Sequence, residues 1–283
     1  MKIKKEILLS ISLFAVFGFV ISGCQKISSP ELGDYPKDGQ VLPAGDLRFF
    51  VPFEGTNAIS KWNMADSISK NPAFTNSLTT VAGVSGKAFQ GTSGSAIKYL
   101  NANDMKSATS FTIAFWMKRA VNSKTEFYFS LKDDTYGWGH SAIFMMVEHG
   151  TAAAATVKVG VMDQWMEFPD GSQLQKPMLD GNWHHWAIAY NETTSKMSYF
   201  FDGVVVANPP VSATDVKNNG NPRGKLDLTK ATNLVIGGWN KHAALEGPTD
   251  DWVSSFAGNL DQFRMYNKVL SAAEILALYT NKQ

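Results

Sequence analysis

The sequence has little cysteine and little net charge. Its 283 residues include one cysteine, so no disulfide can form within the chain. The formal net charge is +1, which argues against a polyanionic partner such as nucleic acid. The H-E-x-x-H motif of zinc proteases and the G-x-S-x-G motif of serine hydrolases are also missing. These absences favour non-covalent binding over hydrolytic or thiol chemistry.

A long uncharged run occurs at the N-terminus, where a basic start with Lys2, Lys4 and Lys5 precedes it. The run is shorter than the roughly 20 apolar residues of a spanning helix, and its pattern is typical of a signal peptide. It ends in "ISGC", which resembles the lipobox of bacterial lipoproteins. The resemblance implies cleavage before Cys24, acylation of Cys24 and attachment to the membrane through lipid alone. An incidental cysteine after an ordinary signal peptide is the alternative.

The mature chain divides into two parts. Residues 24–45 are rich in proline and glycine and have no periodicity, which predicts an extended tether after the signal peptide of residues 1–23. From Asp46 onward, apolar and polar residues alternate, as in "SFTIAFWMKRA" and "NWHHWAIAYN". Dipeptides such as Asp202-Gly203 mark tight turns between such segments. All-β domains reach about 200–250 residues, so 46–283 is predicted to be one all-β domain.

One helix is predicted, at the C-terminus. The string "SAAE" matches a capping box, in which Ser271 accepts from the backbone N–H of Glu274 and Glu274 from that of Ser271. Ile275, Leu278 and Tyr279 then form an apolar stripe at helical spacing. We expect this stripe to pack on the β-domain.

The order of the segments points to a known family. The segments are "FFVPFEG", "VSGKAFQG", "SFTIAFWMKRA", "DGNWHHWAIAYN", "SYFFDGVVV", "LVIGGW" and "FAGNLDQFRMYNKVLSAAEILALY". Together they resemble the LamG-like jelly-roll family of the concanavalin A-like lectin/glucanase superfamily. The resemblance implies a two-sheet antiparallel jelly-roll sandwich with a concave face and a short C-terminal helix. It does not fix the function, because this fold carries many.

The catalytic residues of related hydrolases are not found. Hydrolases of this superfamily carry alternating carboxylates, Glu-x-Asp-x-x-Glu, and no such string occurs here. The acidic pairs Asp133-Asp134 and Asp250-Asp251 are adjacent residues, whose side chains would point apart on a strand. We therefore predict a protein that is not an enzyme, with a glycoside hydrolase or polysaccharide lyase as the less favoured alternative.

Aromatic residues in polar, glycine-rich loops predict a carbohydrate site. A flat ring can stack on the apolar face of a sugar, while neighbouring polar groups bind the hydroxyls. Three stretches, "DDTYGWGH", "MDQWMEF" and "GGWNKHAALEGPTDDW", have this composition. The candidate residues are Tyr136, Trp138, Trp165, Trp239, Asn240 and Trp252. Packing at the rim of the sandwich is the alternative for each tryptophan.

The resemblance also implies a structural Ca²⁺, an ion that prefers oxygen ligands. Its positions match Asp66 and Asp261, while Glu54 stands where an aspartate is more usual. For Asp261, the alternative is a turn residue that accepts from backbone N–H groups.

We therefore expect a lipid-anchored, non-catalytic domain of the bacterial cell envelope that binds a polysaccharide or oligosaccharide. Gln25 after the lipidated cysteine fits the outer membrane, and the cell surface is the expected side. Lys26 comes before the acidic Glu31 and Asp34, which leaves the periplasmic face as an alternative. A protein-interaction or adhesion module is the principal rival function.

Overall fold

A computed structural model describes residues 46–54, 79–94, 96–100 and 102–282. The predicted signal peptide, the tether with Cys24, and the candidate ligand Asp66 lie outside the described residues. Within the described residues, no helix has the length and apolar character needed to cross a membrane.

Two β-sheets make up the domain, and the first has eight strands in the described part of the chain. These strands are β1 (Leu47–Val51), β2 (Thr79–Ala82), β3 (Lys87–Gln90), β5 (Phe111–Ala120), β10 (Asp180–Asn191), β11 (Lys196–Phe201), β12 (Val204–Val205) and β17 (Asn259–Tyr266). Their spatial order is β12-β11-β10-β5-β17-β3-β2, and β1 pairs with the second half of β17. All these pairings are antiparallel.

The second sheet has seven strands among the described residues. They are β4 (Ile97–Tyr99), β6 (Thr125–Lys132), β7 (Ser141–Gly150), β8 (Ala155–Val161), β9 (Gln164–Phe168), β15 (Leu234–Ile236) and β16 (Val253–Ser255). Their order is β4-β15-β6-β7-β8-β9, and β16 pairs in parallel with the start of β6. A small hairpin consists of β13 (Lys217–Asn218) and β14 (Asn221–Pro222).

Two α-helices and two 3₁₀ turns complete the described elements. The helices are α1 (Val211–Thr214) and α2 (Ala272–Asn281), and the 3₁₀ turns cover Asn103–Ser107 and Asn240–Ala243. The two-sheet, all-β jelly roll with a short C-terminal helix predicted from the sequence is confirmed.

The core lies between the sheets and follows from the alternation of side chains along each strand. On β5, Phe111, Ile113, Phe115 and Met117 belong to the main core, as the sequence pattern predicts. Phe115 stacks on Phe263 of β17 with ring centroids 5.5 Å apart. The opposite side of each strand faces outward, so each sheet has an outer face of its own.

Helix α2 covers part of the outer face of the first sheet. Its capping box forms as predicted: Ser271 Oγ accepts from the Glu274 N–H at 3.3 Å, and Glu274 Oε2 accepts from the Ser271 N–H at 2.7 Å. Ile275 is fully buried against the sheet, and the Tyr279 ring stacks on Trp116 at 5.4 Å. On the outer face of the second sheet, the 3₁₀ turn Asn240–Ala243 packs against β15 through Ala243 and Val235, and Asn240 Oδ1 accepts from Ser130 of β6 at 3.0 Å.

Candidate functional site

Three tryptophans from distant parts of the chain meet on the outer face of the second sheet. Trp165 lies on β9, Trp138 in the loop between β6 and β7, and Trp252 just before β16. We call these three residues the tryptophan platform. The Trp138 ring lies 5.2 Å from that of Trp165 with a 28° angle between planes, and 5.4 Å from that of Trp252 with an 11° angle. The indoles are therefore offset-stacked neighbours.

The platform rests on a buried aromatic layer. Trp239 and Phe127 stack at 5.0 Å, and Phe127 stacks on Phe144 at 5.1 Å. Trp239 also lies 4.6 Å from Trp138. Exposure increases outward: Trp239 is fully buried, Trp138 is half-buried, and Trp252 is 51% exposed. Trp252 is thus the tryptophan of this cluster most available for stacking.

Trp239 and Asn240 have a structural role, which corrects the prediction that they contact a sugar. Both are 0% exposed, so neither side chain can meet a ligand from solvent. Trp239 Nε1 donates to the carbonyl of Gly139 at 2.8 Å, and Asn240 Nδ2 donates to that of His140 at 2.9 Å. The two residues therefore fix the loop that carries Trp138.

Asp250 joins the two outer indoles. Its Oδ2 accepts from Trp138 Nε1 at 3.0 Å and its Oδ1 from Trp252 Nε1 at 3.3 Å. The Lys241 ammonium donates to the backbone carbonyl of Asp250. One carboxylate thus sets the relative position of two rings from different loops, a role that the sequence did not reveal.

Tyr136 lies apart from the platform, although it is two residues from Trp138. Its ring packs against the main core, and its hydroxyl donates to the carbonyl of Asp227 at 3.3 Å. The structure therefore brings together Trp138, Trp165 and Trp252 of the predicted site residues and separates Tyr136 from them.

A polar strip along β8 borders the platform. Lys158 Nζ lies 5.4 Å from the Trp165 ring centre, 2.8 Å from Glu148 Oε1 and 3.6 Å from Glu167 Oε2. Sequence reasoning missed these three residues. The alternation of side chains along the strands could have identified them, because Glu148, Lys158 and Glu167 fall on the outer side of β7, β8 and β9.

The strip continues beyond Lys158 to Thr156, whose hydroxyl donates to Asp170 Oδ1 at 2.9 Å. Gln173 Nε2 donates to the same hydroxyl at 2.9 Å, and His149 Nε2 lies 2.9 Å from Asp170 Oδ1. The hydrogen bond from Thr156, with that from His149, lowers the pKa of Asp170. Thr156 is itself buried, so the strip presents to solvent the side chains of His149, Asp170 and Gln173, which include both donors and acceptors and suit a ligand with hydroxyl groups.

Asp261, the second candidate metal ligand, is fully buried at the start of β17. Its Oδ2 accepts from the Val84 N–H at 2.8 Å, and its Oδ1 has no hydrogen-bond partner among the described residues. Burial, with a smaller contribution from the negative charge of Glu54, raises the pKa of Asp261 to about 7 in spite of the backbone hydrogen bonds that lower it. Glu54 itself accepts from the Lys87 N–H at 3.1 Å.

These two carboxylates have the chemistry that Ca²⁺ prefers, and the orphaned Oδ1 of Asp261 fits a hard cation. Within the described ranges, however, no three His, Cys, Asp or Glu side chains are grouped closely enough to hold a metal. A complete site would therefore need further oxygen ligands, such as backbone carbonyls, side-chain amides or hydroxyls, or a carboxylate outside those ranges such as Asp66.

Comparison with known proteins identifies the fold. A family model described as "Concanavalin A-like lectin/glucanases superfamily" matches residues 90–276. A search among curated proteins finds no match.

Solved structures give the same architecture at low sequence identity. Domain 4 of AbnA, a GH43 extracellular arabinanase from Geobacillus stearothermophilus solved with arabinotriose, aligns with a TM-score of 0.56 and 13% identity, over 83% of this chain and 98% of that one. Trypanosoma rangeli sialidase, solved with sialic acid, aligns with a TM-score of 0.53 and 14% identity, over 86% of this chain and 34% of the sialidase. The binding domain of Paraclostridial Mosquitocidal Protein 1 aligns with a TM-score of 0.51 and 12% identity, over 84% of this chain and 52% of that one. At such identities these structures establish the fold alone.

Proposed function

From the premise that this chain belongs to the concanavalin A-like lectin/glucanases superfamily, we propose that it binds carbohydrate, without catalysis, through the tryptophan platform. The observation that carries the proposal is the stacked pair of Trp138 and Trp252, the latter half exposed, beside a strip of hydrogen-bonding side chains. Aromatic faces attract the polarised C–H groups of a sugar ring, and the strip can bind its hydroxyls.

The charge arrangement favours binding over hydrolysis. Glycosidases use two carboxyl groups about 5–10 Å apart, one of them a proton donor. Glu148 and Glu167 are close enough to share the Lys158 ammonium, at 2.8 and 3.6 Å. Both carboxylates are therefore engaged by the same cation, an arrangement that does not leave them as a free pair acting from either side of a bound sugar.

The test compares two matched tryptophan variants by electrophoresis through gels that contain a panel of polysaccharides. Trp252→Ala removes an exposed platform ring, while Trp183→Ala removes a half-exposed ring on β10 of the other sheet. We expect at least tenfold weaker retention for Trp252→Ala and none of this loss for Trp183→Ala. Retention that Trp252→Ala leaves unchanged on every polysaccharide would point instead to a protein-interaction or adhesion module. Release of reducing ends or unsaturated uronates by the wild-type protein would point to a hydrolase or lyase.

The proposal includes a structural Ca²⁺ held by Asp261, with Glu54 and Asp66 as further ligands. The buried Asp261 carboxylate supports this part of the proposal, because its Oδ1 has no hydrogen-bond partner among the described residues and a bound cation would compensate its charge. At a free concentration 100 times its Kd, such an ion would stabilise the fold by about 2.7 kcal/mol. The thermal midpoint should then rise with Ca²⁺ over a chelator, and Asp261→Asn should abolish that rise.

The proposed location is the outer membrane, with Cys24 lipidated and the domain at the cell surface. The N-terminal sequence supports this part of the proposal. Labelled palmitate should enter the wild-type protein but not Cys24→Ser, and protease added to intact cells should digest the domain if it is displayed outside. Protection from the protease would place it on the periplasmic face.

A further inference from the structure

We infer that the tryptophan platform selects uncharged glycans and rejects glycans that carry carboxylate or sulfate groups. This inference rests on the proposed carbohydrate-binding function and specifies its ligand class. It follows from the charges that the fold places around the three indoles.

At the Trp252 end, the polar partner of the rings is an anion. Asp250 accepts from both indole N–H groups, at 3.0 and 3.3 Å, and the adjacent Asp251 is exposed. The nearby ammonium of Lys241 donates to the Asp250 backbone carbonyl. An aromatic face is itself negative, so rings and carboxylates together repel a ligand anion and attract sugar C–H groups.

At the Trp165 end, the cation is already neutralised. Lys158 lies 5.4 Å from the Trp165 ring centre, and two carboxylates, Glu148 at 2.8 Å and Glu167 at 3.6 Å, lie beside its ammonium. A ligand carboxylate could reach this ammonium only by displacing one of them. It would then lie next to the other, at a distance where like charges repel strongly.

The charged groups named at the two ends of the platform are thus four carboxylates, of Asp250, Asp251, Glu148 and Glu167, and the two ammonium groups of Lys241 and Lys158. Two further cations are already paired: Arg223 with Asp163, which lies two residues before Trp165, and Lys132 of β6 with Asp134. A neutral sugar avoids this repulsion and still finds hydroxyl partners in His149, Asp170 and Gln173 of the polar strip.

The test uses neutral polysaccharides and the same polymers after oxidation of the C6 hydroxyl to a carboxylate. Retention of the full domain is measured at about 20 mM and about 300 mM salt. We expect at least tenfold weaker binding to the carboxylated form at low salt, about 1.4 kcal/mol. The ratio should shrink at high salt, because the screening length falls below 10 Å.

Two double variants with equal charge changes separate local from global electrostatics. Glu148→Gln with Glu167→Gln removes the carboxylates beside Lys158. Asp46→Asn with Glu274→Gln removes the two carboxylates that share Lys268, at 2.9 and 3.0 Å, on the other sheet. We expect the first pair to lower the neutral-to-carboxylated binding ratio severalfold and the second to leave it unchanged, with both folds verified by circular dichroism.

Equal or tighter binding of the carboxylated form by the wild-type protein at low salt would overturn the inference while leaving carbohydrate binding intact. An equal change of the ratio in both double variants would also overturn it, because the selectivity would then reflect overall charge. No retention on any polymer would overturn the proposed function, and the inference with it.

Discussion

Gly160 on β8 shows how a single missing side chain shapes the aromatic layer. A Cβ atom at this position would lie 2.0 Å from Cε1 of the Phe144 ring, well inside contact distance. The absence of the Cβ lets Phe144 extend across β8 to Trp165, where the rings meet edge to face at 5.2 Å. The position of the platform therefore depends on this glycine.

Gly160→Ala should destabilise the domain by about 1–3 kcal/mol, the usual cost of overpacking, and should weaken glycan retention. Denaturant unfolding followed by tryptophan fluorescence measures the first effect, and gel retention the second. Adding Phe144→Leu to Gly160→Ala should recover part of the lost stability, since the clashing ring is then gone. If the stability losses of the two single substitutions simply added up in the double variant, the proposed clash would be contradicted.

His184 gives the fold a dependence on pH. It lies between Asp202 Oδ2 at 2.8 Å and Asp180 Oδ1 at 3.1 Å. Burial lowers the pKa of His184, but the hydrogen bonds and charges of Asp202 and Asp180 outweigh burial, so its pKa is raised above 6.5. The folded state therefore holds this proton more tightly than the unfolded state does.

The stabilisation from His184 should be complete below about pH 6.5 and should disappear as the pH rises through its folded-state pKa. The free energy of unfolding, measured by urea titration from pH 6 to 9, should fall over this range. In His184→Gln the fall should be smaller. An identical pH profile in both proteins would exclude His184 as its source.

At the scale of elements, two loops form the outer part of the site, and Asp250 connects them. The loop between β6 and β7 brings Trp138, and the segment from β15 to β16 brings Trp252. Because the two indole N–H groups share one carboxylate, the loops hold each other in place.

Asp250→Ala should weaken glycan retention at least tenfold while changing stability by about 1 kcal/mol or less, since the bonds to it are partly exposed. Asp250→Asn keeps one acceptor oxygen, so its glycan retention should fall less than that of Asp250→Ala. Tryptophan emission should shift to the red only in the alanine variant. If the alanine and asparagine variants weaken binding equally, Asp250 contributes to binding through its charge and not by positioning the two indoles.

At the scale of the whole domain, the outer faces of the two sheets are separate. Helix α2 covers the first sheet through a small apolar cluster that consists of Ala114, Ala187, Phe200, Leu270 and Ile275, with Tyr266 and Leu278 at its margin. The platform and its aromatic layer belong to another cluster, on the second sheet. Stability supplied at one face should thus not affect recognition at the other.

Ile275→Ala tests this separation. Truncation of a buried isoleucine costs about 2–5 kcal/mol, so the unfolding midpoint should fall clearly. Glycan retention at 10 °C, where the variant is still folded, should equal that of the wild type. A loss of retention in folded Ile275→Ala would show that the two faces are coupled.

Much of this architecture is predictable from local pattern. Period-2 alternation identifies β5, β10 and β17, and the capping box at Ser271 gives the start of α2, because both signals depend on neighbours in sequence. The order of the segments gives the jelly roll. The pairing of β6 with both β15 and β16, which brings Trp138 and Trp252 together, is a long-range property.

The site is predictable only in part for the same reason. Trp239 and Trp252 have similar polar, glycine-rich surroundings in the sequence, yet one is buried and the other half exposed. The difference arises from Trp239 contacts with Gly139 and Phe127, about a hundred residues away. Sequence pattern thus finds the aromatic candidates, and tertiary contacts decide which of them reach solvent.

The pairing of β15 and β16 with one strand has a consequence for how this molecule can change. Phe129–Leu131 of β6 pair with β15, and Thr125–Phe127 pair with β16, so the intervening segment leaves and re-enters the sheet along the same strand. Beyond the anchored turn at Asn240–Ala243, its residues up to Asp251 contribute no strand to the sandwich. Leu245 still packs against the cluster of Ala96, Val235 and Ala243, but insertions and replacements from Glu246 onward would spare the folding core. This stretch is accordingly where recognition can diverge between homologues, and where a randomised library could be displayed on an otherwise unaltered scaffold.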